Sequence, residues 1–388
     1  MEPGDEIELT IDAVAFGGAG VGRHGKMVVF VPFTVDGDSV SVKIAAVKKR
    51  FATAELKFIH SPSPFRITPR CAAYTCCGAC SYQHIAYDHQ VVLKNGQVRD
   101  ALKRIGRFDI LPLEDMISSP QAYGYRGKVD FHVTTGEGKE RTIGFAARAT
   151  NDIVDLERCE IVHESINDAL CLMRQGGRPV GRWPLWSTPA EEVSGSRILR
   201  RVKTREMLVP RDGFFQANLY LTDALVDVVE DFCSLLGTET VIDGYCGSGL
   251  FSLFLAPRCA RLYGIEAEGD AVLCAEENMI RAGINSAVFY TGDIAHVLRG
   301  RFIRESIPVD VALIDPPRIG LETDALDALA TLNPAKIVYV SCNPSTLARD
   351  LRALAGYGYR IMRVQPLDMF PQTSHIEAVV LLERKPAL

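Results

Sequence analysis

The chain has 388 residues, enough for two or three domains, each with a core of its own. With 47% hydrophobic and 23% charged residues it has the composition of an ordinary soluble globular protein, and a net charge of −5 does not advertise a nucleic-acid binder, although it leaves room for local positive potential. The acidic N-terminus, MEPGDEIELTID, lacks the basic and apolar regions of a signal peptide. The longest apolar run, Ala378–Leu382, is far too short to span a bilayer, so a cytoplasmic protein with no membrane partner is expected.

Residues 5–60 read as a small all-β unit. Alternation over Glu6–Ile11, the glycine-rich turn Phe16–Gly22, and runs at Met27–Val31 and Ser39–Ile44 are strand and turn signals. The closing segment carries Lys43, Lys48, Lys49, Arg50 and Lys57 against Glu55 alone. Such a run is either a solvated strand-loop face or a surface that grips an RNA backbone on an OB-like barrel. In its G-x-G-V-G-R and F-V-P-F-T-V-x-G-D stretches this segment resembles a TRAM domain, an RNA-binding barrel appended to several RNA-modifying enzymes.

Pro62, Pro64 and Pro69 mark a linker, and the cysteines then cluster. Cys71-x5-Cys77-x2-Cys80, with Cys159 downstream, offers four thiolates suited to an iron–sulfur cluster or to zinc, and the adjacent Cys76 leaves the register open. The spacing C-x3-C-x2-C of a radical enzyme does not occur in any register. The remaining cysteines are dispersed, as small core residues are. Residues 87–107, with Val91, Leu93, Val98, Leu102 and Ile105 on recurring faces, predict an amphipathic helix. β-like runs follow at Lys128–Val133 and Thr142–Ala146, and β-rich sequence continues to about residue 210.

From residue 239 the pattern becomes α/β. A buried strand, Thr240–Asp243, runs into Gly244-Tyr245-Cys246-Gly247-Ser248-Gly249 and a helix over Leu250–Leu255, the first unit of a nucleotide-binding doubly wound sheet. The next strand ends at Glu266, where an acidic residue would meet ribose hydroxyls. Later strand ends carry Asp293, Asp315 and Cys342. Simple strand-end capping is the alternative role for Glu266 and Asp293. The last run, His375–Leu382, is expected to pair antiparallel with Leu367–Gln372. This order suits a class I S-adenosylmethionine methyltransferase better than a dehydrogenase, whose fingerprint needs a third glycine where Ser252 stands.

Asp315-Pro316-Pro317-Arg318 alone suggests an amino-methyltransferase acting on adenine, but those enzymes have an aromatic residue where Arg318 stands, and they need no thiol. Cys342, in Ser341-Cys342-Asn343-Pro344, lies at a strand-to-helix switch, where the helix dipole favours thiolate. Carbon 5 of uracil is too weak a nucleophile to attack a sulfonium methyl. Thiolate addition at carbon 6 makes it nucleophilic, and a base must then remove the carbon-5 proton. Glu377, inside an apolar strand, supplies a carboxylate whose pKa desolvation would raise.

These motifs, together with Gly213-Phe214-Phe215-Gln216-Ala217-Asn218 and His375-Ile376-Glu377, resemble the RNA uridine-5-methyltransferase family, which acts on 23S ribosomal RNA and on the T-loop of transfer RNA. The resemblance covers most of residues 210–388. It implies Cys342 as nucleophile, Glu377 as base, and Gln216, Tyr245, Glu266, Asp293 and Asp315 at cofactor or base-pocket positions. It also implies a four-iron, four-sulfur (4Fe-4S) cluster on Cys71, Cys77, Cys80 and Cys159. Leu250 and Gly127 depart from the family pattern, each standing where an Asn is common.

Three parts are thus expected. They are an OB-like TRAM barrel at 1–60, a central β-rich iron–sulfur domain at 61–88 and 121–210, and a Rossmann-like α/β methyltransferase domain at 89–120 and 211–388. The expected protein is a monomer acting on RNA, with 23S ribosomal RNA favoured and transfer RNA as the alternative. A non-catalytic RNA-binding or assembly protein with a bound cluster would not need Cys342 and Glu377 together.

Overall fold

The computed structural model describes residues 1–135, 141–177, 179–188, 191–194 and 196–385, with the backbone alone at 191–194. Contacts divide the chain into two units: Met1–Gln97, Gln121–Leu185 and Phe370–His375 form one, and Val98–Pro120, Trp186–Met369 and Ile376–Leu388 form the other.

In the first unit, strands β1 (Glu6–Val14), β2 (Ala19–His24), β3 (Met27–Pro32), β4 (Ser39–Val47) and β5 (Phe51–Ser61) close a barrel in the order β1-β2-β3-β5-β4. β3 and β5 pair in parallel, and the other neighbours are antiparallel. Period-2 alternation turns Val40, Val42 and Ile44 of β4 inward, with Leu9, Ile11, Val29 and Val31. The same alternation leaves Lys43 outside, and Lys48, Lys49 and Arg50 are exposed at the turn beyond.

The barrel does not end its core at residue 60. Val14 and Val35 pack with Tyr82 and Ile85, and buried Asp38 accepts from Ser63 N and pairs with Arg66. Helix α1 (Tyr87–Arg104) lies where its periodicity predicts, and Val98 and Leu102 are buried as expected, but its buried face also holds polar residues. Gln90, Lys94 and Gln97 are buried, whereas Ile105 is 41% exposed. Each buried polar group is bonded: Gln90 donates to Tyr82 O and Ile85 O, Lys94 to Phe370 O, and Gln97 to Val14 O. Apolar counting cannot find a helix face satisfied by backbone carbonyls.

The rest of this unit is a sheet ordered β8-β7-β6-β9, from β6 (Lys128–Thr135), β7 (Arg141–Ala146), β8 (Ile153–Asp155) and β9 (Gly181–Trp186), with α2 (Glu164–Gln175). Its core holds Cys77, Cys80 and Cys159 among Phe131, Ile161 and Leu170.

Besides Val98–Pro120, the second unit contains a meander of β10 (Glu191–Ser194), β11 (Arg197–Val202) and β12 (Arg205–Pro210). The division by contacts puts residues 186–210 with this unit, whereas 210 is the boundary expected from sequence. The physical reason lies in α5 (Gly269–Arg281), whose buried Asn278 accepts from Leu208 N and donates to Leu208 O, so that an amide side chain extends the ladder of β12.

After α3 (Thr222–Cys233) come β13 (Thr240–Gly244), α4 (Leu250–Leu255), β14 (Arg261–Glu266), β15 (Ala287–Thr291), α6 (Ile294–Val297), β16 (Val311–Ile314), α7 (Thr323–Leu332), β17 (Lys336–Ser341), α8 (Pro344–Gly356), β18 (Tyr359–Leu367) and β19 (Glu377–Arg384). The sheet order is β15-β14-β13-β16-β17-β19-β18, parallel except for β19. All four residues of β16 are buried, the pattern of a parallel strand covered on both faces.

The last strand does not pair with 367–372 as expected. Its edge partner is β18, and the pairing ends at Leu367 with Glu377. Pro371 has no N–H to donate, and Gln372 adopts φ 66°, so residues 368–376 form a loop. Within the first unit, Gln372 O accepts from both Ser81 N and Tyr82 N.

Candidate active site

The chain order of the sheet reverses between β13 and β16, the switch point at which doubly wound sheets bind ligands. The loop after β13 turns through left-handed conformations at Tyr245 (φ 62°) and Gly249 (φ 79°). A side chain at Gly249 would be strained there and would meet Ala275 at 3.1 Å. Glu266, at the end of β14, closes over this loop: Gly247 N and Glu268 N both donate to its carboxylate, at 3.0 and 2.9 Å. Asp293 caps α6, accepting from His296 N, and so fills the capping role its position also allowed. Gln216 is buried. Its neighbour Asn218 fixes that turn by accepting from Tyr220 N and Leu221 N and donating to Met369 O.

Asp243 is a group the sequence pattern did not single out. It is fully buried beneath the loop, and burial pushes its carboxyl up to about 7. Ser252 Oγ donates to it at 2.6 Å, which explains why a serine stands where a dinucleotide site needs glycine. Its other oxygen has no partner among the described residues.

Register brings the two residues of the expected chemistry together. β17 and β19 pair antiparallel, with Ser341 opposite Ala378. Cys342, one residue beyond Ser341, and Glu377, one residue before Ala378, thus stand at the same end of neighbouring strands. Parallel pairing of β16 with β17 brings Asp315 to that end as well.

Glu377 is 3% exposed, and burial holds its carboxyl well above the usual range. Burial also raises Asp315, to about 7, with Asp243 and Glu266 adding to the effect. The expected thiolate at Cys342 is corrected by the same environment. Burial first, then the charge of Glu377, raises its thiol to about 11, and Arg318 opposes this only in part. Asn343 caps α8 by accepting from Ser345 N, so one of the helix amides invoked for the thiolate already has a partner.

The four expected metal-binding cysteines converge, but no group of three or more His, Cys, Asp or Glu side chains among the described residues is arranged to hold a metal ion. Cys77, Cys80 and Cys159 are buried in one core, with Cys71 packed against it. Their charges act on one another, and burial raises Cys80 to about 12 and Cys159 to about 11. Cys76 is exposed, whereas Cys77 points into this core. Cys159 N donates to Asn167 Oδ1 and its carbonyl accepts from Asn167 Nδ2, while Arg148 donates to Cys80 O.

A switch-point glycine loop on a parallel sheet with one reversed penultimate strand defines a class I methyltransferase fold for the second unit. The profile of the tRNA (Uracil-5-)-methyltransferase family matches residues 199–385, and that of the TRAM domain matches residues 1–57. The chain is 30% identical to an uncharacterized RNA methyltransferase of Bacillus cereus, over 99% of this chain and 98% of that one. It is 32% identical to another from a Nostoc species, over 98% and 96%. The crystal structure of Pyrococcus abyssi tRNA (uracil-54, C5)-methyltransferase in complex with S-adenosyl-L-homocysteine superposes with a TM-score of 0.73 at 25% identity, over 96% of this chain and 100% of that chain. The chain belongs to the RNA uracil-5-methyltransferase family and is an S-adenosylmethionine-dependent RNA methyltransferase with a TRAM domain.

Proposed function

We propose that the protein methylates carbon 5 of a uridine through a covalent adduct between Cys342 Sγ and carbon 6 of the base. The observation that carries this is the register of β17 and β19, which sets the thiol and a buried carboxyl side by side at the sheet's ligand-binding end. S-adenosylmethionine supplies an electrophilic methyl group. The glycine loop, Tyr245, Glu266 and Asp293 hold it, with Gln216 and Asp315 at the boundary with the base.

Electrostatics give the residues an order of action. Two buried acids this close do not both ionise readily, so the thiolate forms while Glu377 still holds its proton. Once sulfur is bonded to carbon 6 it carries no charge, and its repulsion of Glu377 disappears. Glu377 then releases its proton to solvent, so that it stands as a carboxylate once carbon 5 has received the methyl group. It takes the carbon-5 proton, the carbon–sulfur bond breaks, and the thiolate leaves.

Cys71, Cys77, Cys80 and Cys159 are the proposed ligands of a 4Fe-4S cluster. They share one core and feel one another's charge, and the choice of a cluster over a single zinc ion rests on the family resemblance, since no metal-holding group of three or more such side chains is found among the described residues. Unpaired buried thiols stay protonated, so iron would have to displace their protons. Such a cluster would brace the core of the first unit or contact RNA, rather than act as a redox catalyst.

The exposed Lys43, Lys48, Lys49 and Arg50, beside the exposed rings of Phe51 and Phe58, suit a nucleic-acid backbone and its bases. A TRAM barrel combined with a cluster favours 23S ribosomal RNA. The likeness to the Pyrococcus abyssi enzyme supports the T-loop of transfer RNA as a second reading. Incubating both RNAs, purified from a strain lacking the gene, with enzyme and S-adenosylmethionine and then mapping 5-methyluridine tests this. New 5-methyluridine in 23S RNA alone supports the first reading, and in transfer RNA alone the second. Methylation at another atom would refute both.

A further inference from the structure

The segment between β16 and α7, residues 316–322, has no regular secondary structure, yet helix α8 grips its backbone at successive positions. Asn343 Nδ2 and Thr346 Oγ1 donate to Arg318 O at 3.2 and 3.1 Å. Arg349 donates to Ile319 O and Leu321 O at 2.8 and 3.1 Å. Leu321 N donates to Asp350 at 2.8 Å. Asp350 is 1% exposed and also accepts from Tyr339 OH of β17, at 2.7 Å, and from Arg349 Nε, at 2.8 Å. At Gly320 (φ +76°) a Cβ would stand 2.4 Å from the Asp350 carboxylate, so the segment lies directly against it.

The same helix begins two residues after Cys342. Its first turns therefore fix the nucleophile, and its side chains fix the segment that carries Arg318. The groups that act on Cys342 are Glu377 of β19, Arg318 of this segment and Asp315 at the end of β16. Arg318 is the cation among them, and it acts on Glu377 as well.

We propose that Asp350 is a positioning residue: it locks the 316–322 segment onto α8 and so holds the Arg318 guanidinium against Cys342 and Glu377. A carboxylate suits this post because it only accepts, and here it takes three donors at once. An amide in its place would turn an NH2 group toward one of those donors. The inference rests on the proposed roles of Cys342 and Glu377, but its test does not require methyl transfer.

The rate of Cys342 alkylation by iodoacetamide is followed against pH in the full chain without RNA, by mass spectrometry of the peptide containing Cys342. Arg318→Ala removes the stabilising cation and should slow alkylation at pH 8 by about three- to tenfold, up to one unit of thiol pKa. Asp350→Asn should slow it comparably, and adding it to Arg318→Ala should slow it no further. Tyr339→Phe, which leaves the segment's own bonds in place, should change the rate by less than about twofold. Should Asp350→Asn not fold, Arg349→Met removes two of the same anchors from a half-exposed position and should shift the profile in the same direction. An unchanged alkylation profile in a folded Asp350 or Arg349 variant overturns the proposal. So does slowing by Asp350→Asn that adds in full to that of Arg318→Ala. Failure of the covalent mechanism would appear instead as methyl transfer retained in Cys342→Ala, with these profiles unaffected.

Discussion

Replacing Glu377 by Gln keeps the volume of the side chain and removes one proton acceptor and one negative charge. The two losses act on different halves of the reaction, and the structure gives each a sign. Without the acceptor, thiol addition and methyl transfer proceed but elimination stalls, so turnover should fall on the order of a hundredfold or more. Where Glu377 is ionised, its charge is the largest influence after burial on the Cys342 thiol, so in that pH range the variant's thiol should titrate below about 11. Each unit of such a shift raises the thiolate fraction about tenfold at a pH above that at which Glu377 ionises and below that at which the thiol does. The variant should therefore alkylate faster at Cys342 while turning over more slowly, and methylated RNA should accumulate on the protein. Denaturing gels with labelled RNA read the adduct, and iodoacetamide kinetics read the thiol. A Glu377 that served only as a strand carboxylate would lower stability and leave turnover proportional to the folded fraction. Normal turnover with no slow-migrating adduct would remove it from the mechanism.

Cys342→Ala should abolish tritium release from 5-tritiated uridine in RNA while S-adenosylmethionine still binds, because the glycine loop and Glu266 hold the cofactor; substantial release would refute the covalent route. Protein purified without oxygen should be brown and carry about four irons per chain on its four cysteines; colourless protein with stoichiometric zinc would show that the metal is wrong. Asp243 is raised to about 7 in the fold against about 3.9 unfolded, so its contribution to stability is present below about pH 4 and lost as pH rises through 7. Asp243→Asn escapes that loss. Its stability relative to the unsubstituted chain should rise between pH 5 and pH 8, by up to a few kcal/mol in urea denaturation; an equal difference at both pH values would count against the buried carboxyl.

Local pattern was enough for many of the elements and for a proposal about the chemistry. Alternation in Ser39–Ile44 and the strand–glycine–helix run at 240–255 are properties of neighbouring residues, and each element formed where its pattern lay. Cys342 and Glu377 were legible as candidates because the proposed chemistry of carbon 5 calls for a thiol and a base, and both fall at strand ends. What brings them together is register: only the insertion of β19 between β17 and β18 sets Ser341 opposite Ala378, and the partner expected from sequence, 367–372, is a loop.

Burial by distant segments decided the rest. The helix dipole behind Cys342 is local and visible in sequence, but the desolvation and the Glu377 charge that outweigh it come from other strands. Asp243 heads the glycine-loop motif without a role assigned to it, and Asn278 and Asp350 carry no motif. Their importance lies in partners 9, 70 and 29 residues away along the chain. A one-dimensional pattern records which residues are polar, whereas the packed fold determines which of them lose water and what they meet in its place.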